Sequence, residues 1–391
     1  MRYIIVGNGV AGDSAAMAIS ETDNNSEILL FSEEAIPFYY RPRLIDVVSG
    51  EVTLNKIIIH NEEFYSKKNI KIFLNTKINK IDTDKKEIKT DSGKSFSFDK
   101  LLIATGGYSF IPPIPGTEKE GVFSLRDAED SVKIIKYLND VKETVVIGGG
   151  LLGLETANAF LKRGKKVSVV EFSDRLLPRQ LDTEGADILK KNLESRSINF
   201  FLAEVTETII GGNPLQGIKT KSGKEISAQL ILISAGVRST LDLVRNTPIK
   251  INRAIDVDSQ LRTSVRDIYA AGDCAEVLGN VYGIYPPAKE QGRIAGLNMA
   301  GKTTEYSGTI PSHKLKVAGI DLCSIGKLDM DGILDCEKFV DKTNYIYKKA
   351  FIESGKIVGA MLLGDLKAVS EIEQAIVKNE EFSGIKKFFL S

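Results

Sequence analysis

The pattern GxGxxG occurs twice in this chain, each time between an apolar run and a helix-like segment. The first copy, Gly7-Asn8-Gly9-Val10-Ala11-Gly12, follows Tyr3-Ile4-Ile5-Val6. The second, Gly148-Gly149-Gly150-Leu151-Leu152-Gly153, follows Thr144-Val145-Val146-Ile147. One such turn is weak evidence, because glycine-rich turns are common, but two in the same strand–turn–helix context constrain the fold. In each copy the first glycine permits a tight turn, the second lets the backbone approach a pyrophosphate, and the third allows close helix–strand packing. The helix N-terminus then offers free amides to an anion. A chain that holds two dinucleotides at once is expected to move a hydride between them. The expected fold class is therefore α/β, with two Rossmann-like dinucleotide-binding domains.

Each fingerprint is followed by an acid. Glu33 stands 21 residues after Gly12, and Glu171 stands 18 residues after Gly153. A carboxylate at the end of the second strand can accept hydrogens from ribose hydroxyls. At Glu171 it would bond the 2′-hydroxyl of NADH and repel the 2′-phosphate of NADPH, with Arg175 the nearby residue that could blur the distinction. Glu155, early in the second helix, reads either as a first-turn acid favoured by the helix dipole or as a nicotinamide contact. Gly272-Asp273, after Ala270-Ala271, reads either as an ordinary turn or as a place where Asp273 accepts hydrogen bonds from a flavin ribityl chain.

Composition excludes several classes. Lys+Arg 52 balance Asp+Glu 52, so the formal net charge is +0 and the electrostatic drive toward nucleic acid is missing. No run approaches the roughly 20 apolar residues of a membrane span, and no basic amphipathic helix suggests a membrane surface. Cys274, Cys323 and Cys336 are widely spaced, with no CxxC or CxxxxC. No metal, iron–sulfur or redox-disulfide site is expected, and a reducing, cytoplasmic compartment fits. His60 and His313 are the only histidines, and neither stands in a sequence pattern that suggests acid–base work.

At 391 residues the chain is too long for one ordinary domain. The first unit reads as a helix over Asp13–Ser20 and strands at Glu27–Phe31, Ile70–Phe73 and Glu87–Thr90. A buried strand then ends in Ala104-Thr105-Gly106, and Pro112, Pro113 and Pro115 form a stiff linker. The second unit reads as a helix near Leu125–Leu138, the second fingerprint, a strand over Val167–Glu171 and an aliphatic strand ending at Gly236. From about Tyr306 the pattern turns β-rich and ends in a helix over Leu366–Lys378. The expected division is residues 1–110 with 234–305 as one domain, 111–233 inserted within it, and 306–391 as a small C-terminal α+β domain.

The combination of Gly7–Gly12, Ala104-Thr105-Gly106, Gly148–Gly153 and Ala271-Gly272-Asp273 resembles the FAD-dependent pyridine nucleotide-disulfide oxidoreductase superfamily over nearly the whole chain. The resemblance implies tightly bound FAD on Gly7, Gly9, Val10, Ala11, Gly12, Glu33 and Asp273, with Ala104, Thr105, Gly106 and Gly272 lining the same site. It implies NADH as substrate on Gly148, Gly150, Leu151, Leu152, Gly153 and Glu171, with Glu155 and Gly236 nearby. Pro37-Phe38-Tyr39-Tyr40-Arg41-Pro42-Arg43-Leu44 looks like the flavin-contacting loop of rubredoxin and ferredoxin reductases and of nitrite-reductase flavin modules, and implies Arg41 and Pro42 against the flavin or its phosphates. The Tyr285–Gly292 helix start, with Ala288, would face the flavin pyrimidine, and Lys316 matches a basic position near it.

Two departures matter. The cysteine that thiol-dependent members carry near residues 40–50 is missing. Asp46 stands where many ferredoxin reductases have a lysine, so a lysine–glutamate pair with Glu155 is not expected. The implied activity is NADH oxidation through FAD, with single electrons passed to a small carrier, most closely rubredoxin. The alternatives are an NADH oxidase with oxygen or peroxide as acceptor, a ferredoxin- or nitrite-reductase-type module, and a non-enzymatic NADH-sensing flavoprotein. A monomer is expected over a homodimer.

Overall fold

The apolar runs around each fingerprint form the centre of a five-stranded parallel sheet. The computed structural model describes residues 1–309, 312–317 and 319–389, excepting the side chains of 312–317, 388 and 389. It divides into two units: residues 1–44, 53–109 and 237–309, and residues 45–52, 110–236 and 310–391.

In the first unit the strand order is Ile268–Ala270, Lys100–Ile103, Arg2–Val6, Glu27–Phe31, Ile70–Phe73, all parallel. Ile4, Ile5, Leu101, Leu102 and Ile103 are wholly buried. Such strands, covered on both faces, lose the in–out alternation and read as continuous aliphatic runs. The first fingerprint helix, Val10–Thr22, crosses a second helix, Tyr285–Met299, at very close range. A Cβ on Gly292 would lie 2.1 Å from the Ala11 carbonyl oxygen, and one on Gly296 would lie 2.5 Å from that of Ala15. The alanines and glycines of these two segments are thus contact residues, which is why Asp13–Ser20 is so poor in large side chains.

The second unit repeats the plan. Its strand order is Ile198–Phe201, Lys166–Val170, Glu143–Ile147, Leu230–Ile233, Val122–Phe123, again parallel. Both sheets are interrupted at the same point by a three-stranded antiparallel meander, residues 78–97 in one and 206–227 in the other. The expected strand at Glu87–Thr90 is the middle strand of the first meander. The second unit also carries a five-stranded antiparallel sheet built from residues 312–363, with the helices Val369–Lys378 and Phe382–Phe389 following it. Cys323, Ala360, Leu362, Val369 and Ile372 share one apolar cluster there. Two helices begin three residues later than sequence periodicity suggested. One starts at Ala128 because Asp127 and Asp130 form a capping box, and the other starts at Val369.

Candidate functional site

In the first unit the strand Arg2–Val6 delivers the chain into Gly7, which has φ +111° and whose Cβ would lie 2.1 Å from the Ala104 carbonyl oxygen. Only glycine combines that conformation with that contact. Gly12 is packed as tightly, its Cβ position 1.9 Å from the Gly7 oxygen, whereas a Cβ on Gly9 would meet nothing within 4 Å. Two glycines therefore serve the fold, and the middle one faces open space. Val10 is half-buried and Ala11 buried in the first turn. Gly9 is the N-cap of Val10–Thr22 and supplies no side-chain cap, in contrast to Asn61, which caps Glu62–Lys67 by accepting from the Phe64 amide. An uncapped N-terminus beside an open glycine is the cradle a pyrophosphate requires, and the residues present fit FAD.

Around this turn, Thr105 donates to the Thr240 carbonyl at 3.0 Å, and Gly106 has φ +67°. The Gly272 amide donates to Gln291 Oε1 at 2.9 Å, and the Asp273 carbonyl accepts from the Ser239 hydroxyl at 2.6 Å. Ala288 is buried in the first turn of Tyr285–Met299, whose N-cap, Ile284, also offers no side chain to its amides. Cys274, next to Asp273, is fully buried, and burial pushes its thiol up, away from thiolate chemistry.

Glu33 lies two residues past the strand end at Phe31, with an exposed side chain that pairs with Lys77 at 3.1 Å. Its neighbour Glu34 is the more anchored acid. It accepts from the Tyr39 hydroxyl at 2.6 Å and from Arg41 at 2.5 Å, and the Arg41 guanidinium lies 5.0 Å from the Tyr39 ring centroid. Arg41 and Pro42 form a single 3₁₀ turn, Arg41–Arg43. Sequence reasoning missed Glu34, although two adjacent acids before a loop rich in arginine was the available signal. It also left His60 without partners. His60 Nδ1 lies 2.7 Å from Asp13, and Tyr65 donates to the same carboxylate oxygen at 2.6 Å. These residues are remote in sequence, so no local pattern could show the cluster.

In the second unit Gly148 has φ +117°, and its Cβ would lie 2.2 Å from the Ser234 oxygen. That of Gly153 would lie 2.0 Å from the Gly148 oxygen, and Gly150 again faces open space. Gly150 caps Leu151–Lys162 with no side chain, while Asp127 and Asp182 close other helices of the same unit. Leu151 and Leu152 are half-buried in the first turn, and Gly236 has φ +105° with open space on its Cβ side. Glu171 is buried and held by two backbone amides, Gly149 at 2.5 Å and Ser173 at 2.8 Å. A carboxylate has lone pairs beyond these two and can still accept from a ribose hydroxyl. Arg175 pairs with Asp174 at 3.0 Å. These residues fit a dinucleotide with a free 2′-hydroxyl.

Glu155 lies one turn into the same helix. Burial first, and then the Asp46 carboxylate, push it up to about 7. Lys316 lies on the strand Ser312–Val317, and its side chain is outside the described residues. Among the described residues no cluster of potential metal ligands occurs, and no helix is long and apolar enough to cross a membrane.

Comparison with known proteins adds two family matches, pyridine nucleotide-disulphide oxidoreductase over residues 1–296 and the rubredoxin NAD+ reductase C-terminal domain over residues 311–380. The chain is 35% identical over 99% of its length to the assimilatory nitrate reductase electron transfer subunit of Bacillus subtilis, of which it covers 50%. It spans about half the length of the first curated relatives it matches. It is 31% identical to the NADH-rubredoxin oxidoreductase of Clostridium acetobutylicum, covering 98% of this chain and 96% of that one. A crystal structure of NADH:rubredoxin oxidoreductase from the same organism superposes with a TM-score of 0.85 at 30% identity, covering 97% and 96%.

Proposed function

Given that this chain belongs to the pyridine nucleotide-disulphide oxidoreductase family, whose members are FAD-binding, pyridine-nucleotide-using enzymes, we propose that it is an NADH-dependent reductase of a small one-electron carrier, most closely rubredoxin. The observation that carries this reading is the pair of uncapped fingerprint helices with open middle glycines, one in each parallel sheet. Similarity to a rubredoxin reductase over nearly the full length of both chains supports the choice of partner. In this reading residues 1–110 and 234–305 form the FAD domain, 111–233 the NADH domain and 306–391 the C-terminal domain of a cytoplasmic monomer. FAD, when bound, supplies conversion of a two-electron hydride donor into single electrons. The chain's own residues bind and orient: the amides at Gly9 and Gly150 take the two pyrophosphates, Asp273 and the Arg41–Pro42 turn hold the flavin side, and Glu171 selects the unphosphorylated ribose.

A second reading, an electron-transfer module acting with nitrite- or nitrate-reducing partners, is favoured by the 35% identity to the Bacillus subtilis subunit. Stopped-flow reduction by NADH, then mixing with oxidised rubredoxin, ferredoxin or oxygen, tests the rubredoxin reading. Reoxidation by rubredoxin should be the fastest. If it is no faster than reoxidation by dissolved oxygen, the rubredoxin assignment fails. Slow flavin reduction with a long-lived charge-transfer band would support an NADH sensor.

A further inference from the structure

Phe172 follows Glu171 directly, at the C-terminal end of the strand Lys166–Val170, and it is 75% exposed while Glu171 is 7% exposed. Single exposed apolar residues are ordinary on protein surfaces. The surroundings of this one are not. Val170, Leu176 and Leu177 on either side are fully buried. The fingerprint turn packs onto the same spot, since a Cβ on Gly149 would lie 2.9 Å from Leu176 and 3.1 Å from Glu171. The Gly149 amide also donates to the Glu171 carboxylate. An aromatic ring is thus left bare beside a rigid acid that is itself fastened to the dinucleotide turn.

We propose that Phe172 is the stacking platform for the adenine of NADH, so that the ring, the Glu171 carboxylate and the open face at Gly150 bind adenine, ribose and pyrophosphate in sequence. The proposal rests on the NADH reading above and adds a residue to it. In open α/β sheets ligands lie outside the carboxyl ends of the strands, where Phe172 stands. A base stacks on an aromatic face without needing hydrogen-bond partners, so the platform would favour adenosine-containing ligands over the bare nicotinamide half. Glu171 would read the 2′-hydroxyl while Phe172 supplies affinity.

The test uses the FAD-loaded protein and ligands that divide the coenzyme. Calorimetric titration of Phe172→Ala with ADP-ribose should show affinity weakened by about 5- to 100-fold, with Phe172→Tyr close to the unmodified protein. Anaerobic flavin reduction by reduced nicotinamide mononucleotide, which lacks adenine, should be unchanged in both variants. ADP-ribose affinity within about twofold of the unmodified protein in Phe172→Ala would overturn the proposal. An equal loss with the mononucleotide would overturn it too, because the change would then act on the fold and not on adenine. If the unmodified protein binds no ADP-ribose and its flavin is not reduced by NADH, the NADH reading falls with it.

Discussion

Among the described residues, the charge that acts on Glu155 is another carboxylate, that of Asp46. Burial and that like charge together raise the Glu155 carboxyl to about 7 from its ordinary 4.5. The group is thus half protonated near neutrality in the flavin-free protein. Between pH 4.5 and 7 the unfolded chain has released this proton while the folded chain still holds it. Stability from this group is therefore fully present below about 4.5, falls as pH rises, and levels off above the folded value. The whole effect is on the order of 3 kcal/mol.

Glu155→Gln should remove that slope. Urea unfolding of the flavin-free protein from about pH 5 to 8 should show the variant gaining on the unmodified chain as pH rises. Parallel curves would show that Glu155 titrates normally. Asp46→Asn should reduce the slope without abolishing it, because burial is the larger cause.

The glycines of one fingerprint should separate by role. Gly148→Ala places a methyl 2.2 Å from the Ser234 oxygen at φ +117° and should cost about 2–3 kcal/mol or more. Gly150→Ala meets nothing, so its melting should be nearly unchanged while the KM for NADH rises at least about tenfold through lost approach to the pyrophosphate. If both variants melt alike, the division between fold glycine and ligand glycine is wrong.

Much of this arrangement was legible in the chain because it is local. A tight turn, a close helix contact and an open cradle fall within six residues, so Gly7–Gly12 and Gly148–Gly153 announce themselves. The aliphatic runs around Ile4 and Ile231 signal two-sided burial for the same reason. Partners remote in sequence were not legible. Asp13 meets His60 and Tyr65, and Asp182 accepts from Tyr347 and Lys349, across separations that no periodicity encodes. Glu34 belongs with these: spacing from Gly12 points to Glu33, and only the fold shows that the adjacent acid is tied to Arg41.

Glu171 should govern coenzyme choice. Glu171→Gln keeps an oxygen for the Gly149 or Ser173 amide but removes the charge that repels a 2′-phosphate. The ratio of kcat/KM for NADH over NADPH should fall by about tenfold or more. An unchanged ratio would move the source of selectivity elsewhere in the second unit.

Electron stoichiometry tests whether sulfur takes part. Cys274 and Cys323 are buried, Cys336 is exposed, and none is disulfide-bonded. Cys274, beside Asp273, has its thiol pushed up by burial, which disfavours the reactive thiolate. A protein built this way stores only the electrons its flavin can hold. Anaerobic titration should therefore reach its endpoint at one NADH per FAD, and iodoacetamide should label Cys336 alone without altering flavin reduction. An endpoint at two NADH per FAD would require a second redox centre, and loss of reduction on alkylation would place a thiol in the path.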